Sequence, residues 1–320
     1  MLAAYARNVN PDDPFQALSV GQIDPPPVPA GWTRVSLAAA TVNHHDLWSL
    51  AGVGLRAEQC PMILGTDAVG RTDAGEEVVV YPVIADADLD DETLDPKRTL
   101  LSELHPGTLA ETAAVPARNL LPKPAGWSAA EAACLPTAYL TAWRMLTSRG
   151  RLPADGAVLV QGTGGGVATA AIVLAGALGA RVYAAGRDPE RRERARGLGA
   201  EVVEPGARLP ERVDLVVDSV GGETVAHSIK SLKPGGRLVT CGVTAGHSPR
   251  IDLRHVFFKQ LEILGSTMGT RDELASLIAF CEERGVRPVI DSTHALSDAE
   301  TALRRLASGD AFGKVVVAVS

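Results

Sequence analysis

The stretch VLVQGTGGGVATAAIVLAGALGARVYAAGRD, from Val158 to Asp188, decides the fold of this chain. An apolar run, Ala157–Gly162, is typical of a buried strand, and a glycine-rich turn follows it. A helical segment, Val167–Leu178, then leads into a second apolar run, Ala180–Gly186. Continuous apolar strands that alternate with helices predict a parallel sheet with both faces covered.

The glycine-rich turn of this stretch predicts a dinucleotide site. Glycines let the backbone approach a pyrophosphate, and the helix that follows offers amide donors and positive potential. A GxG alone is weak evidence, but the strand–turn–helix–strand context makes the signal strong, even with Ala168 in place of the last glycine. The predicted cofactor-binding residues of the turn are Gly162, Thr163, Gly164, Gly165, Gly166 and Val167.

The end of the second strand indicates which nicotinamide dinucleotide binds. NAD-binding proteins usually carry Asp or Glu here, whereas this chain has Gly186 and Arg187, with Arg191 just beyond. Guanidinium groups can hold a 2′-phosphate, and Asp188 is better explained as a helix cap. We therefore predict NADPH rather than NADH, and we expect the neighbouring arginines to be surface residues of the helix: Arg192, Arg194 and Arg196.

The regions on either side of this stretch differ in their predicted secondary structure. The first 120 residues are β-rich, with predicted strands at Thr33–Val42, Glu76–Ile84 and Ala110–Pro116, a proline-rich connector at Asp24–Gly31 and an acidic surface loop at Ala85–Lys97. A helical segment starts with Ser128 as its cap and is interrupted at Pro136. Further elements continue the alternation: strands Glu201–Gly206, Val213–Val220, Gly236–Gly242 and Leu261–Thr267, helices Pro189–Leu198, Arg271–Glu283 and Asp298–Leu306, and strands Val286–Leu296 and Lys314–Val319.

Composition limits the classes of protein to which the chain can belong. It has 320 residues, enough for two domains, with 46% hydrophobic and 22% charged residues. The net charge of −7 and the absence of a basic stripe argue against nucleic acid, and no apolar run approaches the roughly 20 residues of a membrane span. Four widely spaced cysteines and the lack of a secretory pattern predict a cytoplasmic protein with inert thiols.

Several motifs, in the same order along the chain, resemble those of the medium-chain dehydrogenase/reductase superfamily, especially of its zinc-free quinone oxidoreductase and enoyl reductase branch. They are VNHHDLW (Val42–Trp48), PMILGTDAVG (Pro61–Gly70), LPTAYLTAW (Leu135–Trp143), VVDSVGG (Val216–Gly222), LKPGGRLVTCG (Leu232–Gly242) and FGKVVV (Phe312–Val317). The resemblance implies an α/β fold: a GroES-like β-rich domain, residues 1–122 completed by 268–320, and a Rossmann doubly wound parallel-sheet domain, residues 123–267. It also implies a homodimer, with edge strands such as Leu261–Thr267 paired between subunits.

The resemblance also bears on metal binding. Zinc members hold the metal with a Cys–His–Cys set, and the matching positions here are Asn43, Thr66 and Ala133, which are not ligands of that kind. His44 and His45 are the remaining suspects, but adjacent residues on a strand point oppositely. We therefore predict that no zinc is bound.

Without a Lewis acid, hydride transfer to a quinone or an α,β-unsaturated carbonyl is favoured, because hydrogen bonds alone can stabilise the enolate. The resemblance implies the catalytic residues: Asn43 and Asp46 belong to the motif shared by zinc-free members, and His45 occupies a position that carries a proton-relay hydroxyl in zinc members. His45 suits proton delivery but equally suits a passive hydrogen bond, and Asp46 is equally suited to orienting the loop. Trp48 stands where quinone oxidoreductases often carry Tyr, which puts tyrosine-dependent proton donation in doubt.

Further cofactor-binding residues are implied by the resemblance or by their place after a strand. They are Thr137, Ser219, Val220, Gly242, Val243, Thr244, Thr267, Met268, Gly313 and Lys314.

Three other functions stay open at this stage. The first is a 2-enoyl-thioester reductase, for which a basic rim could hold the phosphates of CoA: Arg250, Arg254, Lys259 and Arg271. The second is a zinc-type alcohol dehydrogenase that reduces aldehydes. The third is a nucleotide-sensing or scaffold protein that binds cofactor without catalysing a reaction.

Overall fold

The computed structural model describes residues 1–86 and 88–319. Its residues group into two compact units. The first comprises residues 1–137, 270–279 and 290–320, and the second comprises residues 138–269 and 280–289. The finer domain boundaries expected from the sequence, at 122/123 and 267/268, stay a prediction.

The second unit is built on a six-stranded parallel sheet in the order β13-β12-β11-β14-β15-β16. The strands are β11 Ala157–Gln161, β12 Arg181–Ala185, β13 Glu201–Val203, β14 Val213–Asp218, β15 Leu232–Thr240 and β16 Glu262–Gly265. The helices are α4 Leu140–Leu146, α5 Gly166–Ala177, α6 Pro189–Gly197, α7 Thr224–Ser231 and α8 Leu253–Phe258. Because the strand order reverses beside β11, its carboxyl end is where ligands of such sheets bind. The Rossmann fold is confirmed.

The first unit is mainly antiparallel. Its larger sheet runs β10-β6-β5-β3-β18-β17 with β9 beside β3, and its smaller sheets are β2-β1-β4 and β7-β8. The strands are β1 Leu2–Ala6, β2 Leu18–Gln22, β3 Trp32–Thr41, β4 Met62–Ile63, β5 Asp67–Thr72, β6 Glu77–Val80, β7 Val83–Ile84, β8 Thr99–Leu100, β9 Thr112–Pro116, β10 Leu120–Pro122, β17 Ile290–Ala295 and β18 Lys314–Ala318. The helices are α1 Pro14–Ala17, α2 His44–Leu50, α3 Ala129–Ala133 and α10 Ala299–Ala307, while α9 Arg271–Arg284 begins in this unit.

The strand β3 is the centre of the first unit. It pairs with β5, β9 and β18, so the end of the chain completes a sheet that its beginning starts. Close packing here requires glycine, because a Cβ at Gly70 would lie 2.2 Å from the carbonyl oxygen of Ser36. The β-rich GroES-like fold expected for this part of the chain is therefore confirmed.

Several sequence predictions need correction. Glu76–Ile84 forms two strands rather than one, and β1 and β2 were not predicted. The predicted surface loop Ala85–Lys97 carries a 3₁₀ turn, and its Glu92 is buried and accepts a hydrogen bond of 3.0 Å from the Arg271 backbone amide. Ala87, within that predicted loop, lies outside the described residues. Over residues 1–86 and 88–319, no helix is long and apolar enough to cross a membrane.

Candidate active site

The glycine-rich turn between β11 and α5 has the geometry that an anion requires. Gly162 has a φ of +101°, and a Cβ placed there would lie 3.6 Å from the Cβ of Ala168, so the alanine fits beneath the turn. The Thr169 amide donates to the carbonyl oxygen of Gly165, as in a regular helix. The amides that precede it in the first turn have no such acceptor within the helix and point out of its end. No acidic residue stands in the first turn of α5. These donors can hold a pyrophosphate.

The carboxyl end of β12 lies against this turn. A Cβ at Gly186 would come within 2.2 Å of the Thr163 hydroxyl, so glycine is required there. Asp188 caps α6 by accepting a hydrogen bond of 2.8 Å from the Arg191 amide, as predicted. Arg187 is exposed beside them. Its guanidinium is therefore accessible to a phosphate.

Arg192 differs from the prediction of a simple surface residue. Its guanidinium donates to the carbonyl oxygens of Gly186 at 2.8 Å and Arg187 at 3.1 Å. Its side chain is only 18% exposed, and it also pairs with Glu204 at 3.4 Å. Arg192 therefore fixes the loop that carries Arg187.

Asp218, which was not among the predicted site residues, organises the loop after β14. One carboxylate oxygen accepts hydrogen bonds of 2.8 Å from the Val220 and Gly221 amides, and the other accepts from the hydroxyls of Thr224 and Ser228. A buried acid at the end of an apolar strand was the available signal. The carboxylate therefore satisfies the donors of this turn within the protein.

The structure gathers the predicted residues of the second unit at the carboxyl ends of adjacent strands. Val220 Cγ2 lies 3.7 Å from the Cβ position of Gly162, and a Cβ at Gly242 would come within 2.7 Å of the Ser219 carbonyl oxygen. The Thr244 hydroxyl also donates to that oxygen at 3.4 Å. Val243 lies between Gly242 and Thr244 in this segment. Thr267 and Met268 lie in another segment, after the end of β16.

In the first unit, a buried polar network surrounds Asn43. The Asn43 amide nitrogen donates to Asp67 at 2.8 Å and to the Thr66 hydroxyl at 3.1 Å. The Lys314 ammonium donates to the Asn43 amide oxygen at 2.5 Å, to the Val42 carbonyl at 3.1 Å and to Asp67 at 3.3 Å. An amide nitrogen facing a carboxylate and an amide oxygen facing an ammonium fix the orientation of Asn43.

Lys314 and Asp67 form a desolvated ion pair at the base of this network. Their side chains are 3% and 0% exposed, respectively. The Thr41 hydroxyl adds a hydrogen bond to the same Asp67 oxygen at 2.5 Å. Lys314, predicted to bind cofactor, is thus committed to acceptors within its own unit, and Gly313 precedes it with a φ of +106°.

Asp46 orients backbone around the network, as one of the two sequence interpretations proposed. Its carboxylate accepts from the Asn43 amide at 2.7 Å and from the Gly65 amide at 2.8 Å. Burial is the largest influence on Asp46 and raises the pKa of its carboxyl, despite these hydrogen bonds and the charge of His45. Asp46 therefore joins the start of α2 to the strand-end segment that carries Thr66.

The histidine pair lies on the helix α2, so the prediction that the two residues lie on a strand is wrong. His44 and His45 open α2, so their side chains diverge by about 100° rather than pointing oppositely. His44 is exposed, with its ring centroid 6.4 Å from that of Trp48. His45 contacts a loop that contains Ser102 and Glu103.

A contact between two hydroxyl groups extends the Asn43 network to Thr137. The Thr66 and Thr137 hydroxyl oxygens are 3.0 Å apart. Since Thr66 already accepts from Asn43, it can donate to Thr137, whose own hydrogen is then free to point outward. Thr137 belongs to a π-helical segment, Leu135–Tyr139, which contains the predicted interruption at Pro136.

The three positions that match zinc ligands hold groups of a different kind. Asn43 and Thr66 are bonded to each other, and Ala133 is buried without a polar side chain. The neighbouring Cys134 thiol has its pKa raised to about 12 by burial. Within the described chain, no group of three or more His, Cys, Asp or Glu residues is arranged to hold a metal ion.

Comparison with known families places the chain. Residues 29–125 match the alcohol dehydrogenase GroES-like domain, and residues 166–283 match the zinc-binding dehydrogenase family. A solved NAD-dependent alcohol dehydrogenase is 33% identical, with a TM-score of 0.91 and 100% of each chain covered. This chain belongs to the medium-chain dehydrogenase/reductase superfamily.

Other members of the superfamily are similar over most of this chain. The acryloyl-coenzyme A reductase of Sulfurisphaera tokodaii is 26% identical over 95% of this chain and 97% of its own length. The spectinabilin polyketide synthase system protein NorB of Streptomyces orinoci is 31% identical over 91% of this chain. The chain spans only 13% of NorB.

Three of the four residues suggested for a basic rim around CoA have partners within their own units. Arg254 is paired with Asp252, and the Lys259 ammonium donates to the carbonyls of Ile229, Lys230 and Leu232. Arg271 belongs to the first unit, where it donates to the Arg118 carbonyl at 2.6 Å. Arg250 is exposed. The charges of the other three are therefore committed to their own surroundings.

We predict that Lys314→Met destabilises the protein by about 3–5 kcal/mol, because it leaves the Asp67 carboxylate buried without a counter-charge. Urea unfolding measures the change. The double variant Lys314→Met with Asp67→Asn should lose less unfolding free energy than the two single variants lose in sum.

Lys233→Met is the matched control, because its ion pair with Asp214 is 36% and 25% exposed. We expect it to cost at most about 1 kcal/mol. Equal unfolding free energies for Lys314→Met and the unsubstituted protein would contradict the assigned role of the ammonium.

Proposed function

We propose that this protein is an NADPH-dependent reductase of α,β-unsaturated carbonyl compounds that works without zinc, and that its acceptor is a 2-enoyl thioester. The observation that carries the proposal is the Asn43 site. The amide of Asn43 is engaged by Lys314, Asp67 and Thr66. The ammonium beside it would repel a divalent cation, and Ala133 offers no ligand.

The glycine-rich turn and the Arg187 loop support NADPH as the cofactor. The outward amides of α5 suit its pyrophosphate, and the exposed Arg187 suits its 2′-phosphate. Bound NADPH supplies the hydride. Gly162, Gly165 and Gly186 keep the backbone close to this surface without side chains that would obstruct it.

The side chains of this protein then orient the hydrogen-bond donors and deliver the proton. Lys314 and Asp67 hold Asn43, which orients the Thr66 hydroxyl towards Thr137. The outward hydrogen of Thr137 provides a donor for an enolate oxygen. Hydride addition to the β-carbon of the acceptor leaves an enolate, which takes a proton at the α-carbon. We assign the delivery of that proton to His45.

The choice of acceptor rests on relatives as well as on chemistry. Acryloyl-coenzyme A reductases cover nearly the whole chain, which favours an enoyl thioester over a quinone. A second candidate, aldehyde reduction, is favoured by the 33% identity to an NAD-dependent alcohol dehydrogenase. A carbonyl that is not conjugated needs stronger polarisation of its oxygen than hydroxyl donors supply.

We expect crotonyl-CoA to be reduced faster than a quinone, a simple enone or an aldehyde, with NADPH preferred to NADH. Oxidation of the cofactor, followed by absorbance, measures all four acceptors. Aldehyde turnover that requires added zinc would favour the alcohol dehydrogenase alternative. Cofactor binding without turnover of any acceptor would favour a sensing role.

We expect Arg187→Ala to raise the KM for NADPH about tenfold, because one charge-assisted bond to phosphate contributes on the order of 1.4 kcal/mol or more. The KM for NADH should change less than twofold. Arg196→Ala is the control, since it removes the same charge from the last turn of α6. Equal losses with both cofactors would show that Arg187 acts on structure rather than on the 2′-phosphate.

We further propose a cytoplasmic homodimer. The supporting surface is in the second unit, where β16 is an edge strand and α8 exposes large apolar side chains. Leu253, Phe257 and Phe258 are 68%, 69% and 83% exposed, and Ile263 on β16 is 41% exposed. An edge strand next to an apolar patch favours pairing with a second copy. The four free cysteines suit a reducing compartment.

We predict that Phe258→Glu converts the dimer into a monomer, because a carboxylate would have to be desolvated within the contact. Sedimentation velocity measures the mass. Leu94→Glu is the control, since Leu94 is 74% exposed but belongs to the first unit. A Phe258→Glu protein that stays dimeric, or an unsubstituted protein that is monomeric, would count against the dimer.

A further inference from the structure

The guanidinium of Arg192 is divided between two kinds of acceptor at the end of β12. Its Nη1 donates to the carbonyl oxygens of Gly186 at 2.8 Å and of Arg187 at 3.1 Å. Its Nη2 lies 3.4 Å from the carboxylate oxygen Oε1 of Glu204. Because the donors of a guanidinium point in fixed directions, one nitrogen can keep its partners while the other changes its own.

Glu204 is a weakly held partner of Arg192. It directly follows β13, whose Val203 pairs with Ala185 of β12 and accepts a hydrogen bond of 3.2 Å from the Gly186 amide. The Glu204 side chain is 75% exposed, whereas that of Arg192 is 18% exposed. An ion pair with one member in water contributes little, because water screens it and pairing restricts the side chain. The Glu204 carboxylate can therefore leave Arg192 at little cost.

The same strand ends are where the 2′-phosphate of NADPH would bind. In a Rossmann fold, the residues after the second strand contact the 2′ position of the adenosine ribose, and here these are Gly186 and Arg187. Arg192 is bonded to the backbone of both residues. Asp188 caps α6, but the parallel pairing of β13 with β12 brings a second acid, Glu204, to this edge. A carboxylate at this edge would oppose a phosphate.

We propose that Arg192 is a second ligand of the 2′-phosphate beside Arg187, and that Glu204 is an internal competitor that the phosphate displaces. This inference rests on the proposed function and goes further into its cofactor site. Nη1 would continue to hold the loop, while Nη2 would exchange a carboxylate oxygen for a phosphate oxygen, so the donor stays paired. A phosphate carries more charge than a carboxylate and is the stronger partner for a guanidinium.

The competition has a consequence that a simple phosphate site would not have. Since the Glu204 carboxylate must move away before the phosphate binds, the measured affinity for NADPH is lower than the affinity of the cleared site. NADH has no 2′-phosphate and does not meet this competition. Glu204 therefore reduces the preference for NADPH that the two arginines create, and its removal should increase that preference.

The first test removes the competitor and measures binding without any acceptor. Titration with NADPH or NADH, followed by nicotinamide fluorescence, gives the Kd of each cofactor. We expect Glu204→Gln to bind NADPH about three- to tenfold more tightly, with the Kd for NADH changed less than about twofold. An unchanged or weaker affinity for NADPH would overturn the inference, and so would an equal gain for NADH.

Glu201→Gln is the matched control for this variant. Glu201 is an exposed carboxylate at the opposite end of the same strand, three residues or about 10 Å away along an extended backbone. It loses the same charge, and we expect both Kd values to change less than about twofold. A gain for NADPH as large as that of Glu204→Gln would assign the effect to net charge and overturn the role of Glu204.

The second test asks whether Glu204 acts through Arg192. Arg192→Lys keeps the charge, but its single nitrogen cannot hold the loop and the phosphate together, so the Kd for NADPH should rise about fivefold. In this background, Glu204→Gln should gain less than about twofold, because both residues act through one contact. A full gain would show that Glu204 repels the phosphate directly and would remove Arg192 as a ligand.

The two cofactors also separate phosphate binding from loop structure. If Arg192 only held the loop, Arg192→Lys would weaken NADPH and NADH alike, and that result would overturn its role as a phosphate ligand. The titrations need no turnover. If no acceptor is reduced, the proposed reductase activity fails, while the ratio of the two Kd values still decides the roles of Arg192 and Glu204.

Discussion

The buried ion pair between Lys314 and Asp67 is the constraint on which the first unit depends. It joins residues 247 positions apart, one at the start of β18 and one at the start of β5, and it fixes Asn43 between them. Two desolvated charges are stable only if both have further partners. Here Val42, Asn43 and Thr41 provide them. The hydroxyl series that ends at Thr137 is oriented by the same pair.

The two units prepare their surfaces by different means. In the second unit the surface is formed by backbone: the amides of α5 provide donors, and the glycines at 162 and 186 leave space. In the first unit it is done by side chains whose hydrogen-bond directions are fixed by charge, as in the Asn43 network and in the His45–Glu103 contact. Side-chain networks of this kind are sensitive to single substitutions, because removing one partner leaves another buried and unsatisfied.

The sequence predicted local features well and long-range pairs poorly. The turn at Gly162–Val167, the caps at Ser128 and Asp188 and the Rossmann strands depend on neighbouring residues, so their patterns are visible in the chain. The strands β1 and β2 are short and poor in β-branched residues, and the partner of Lys314 is distant, so no local pattern reveals them. The histidine pair was assigned to a strand because the capping role of Asn43 and Asp46 was not recognised.

The pairing of β18 with β3 has a consequence for synthesis. When the first unit's early strands have been made, the sheet still lacks β18, and Asp67 still lacks its counter-charge. All the strands of the second unit's sheet lie between residues 157 and 265, so they leave the ribosome before Lys314 does. The early strands of the first unit are therefore translated before the second unit, but their sheet is completed after it.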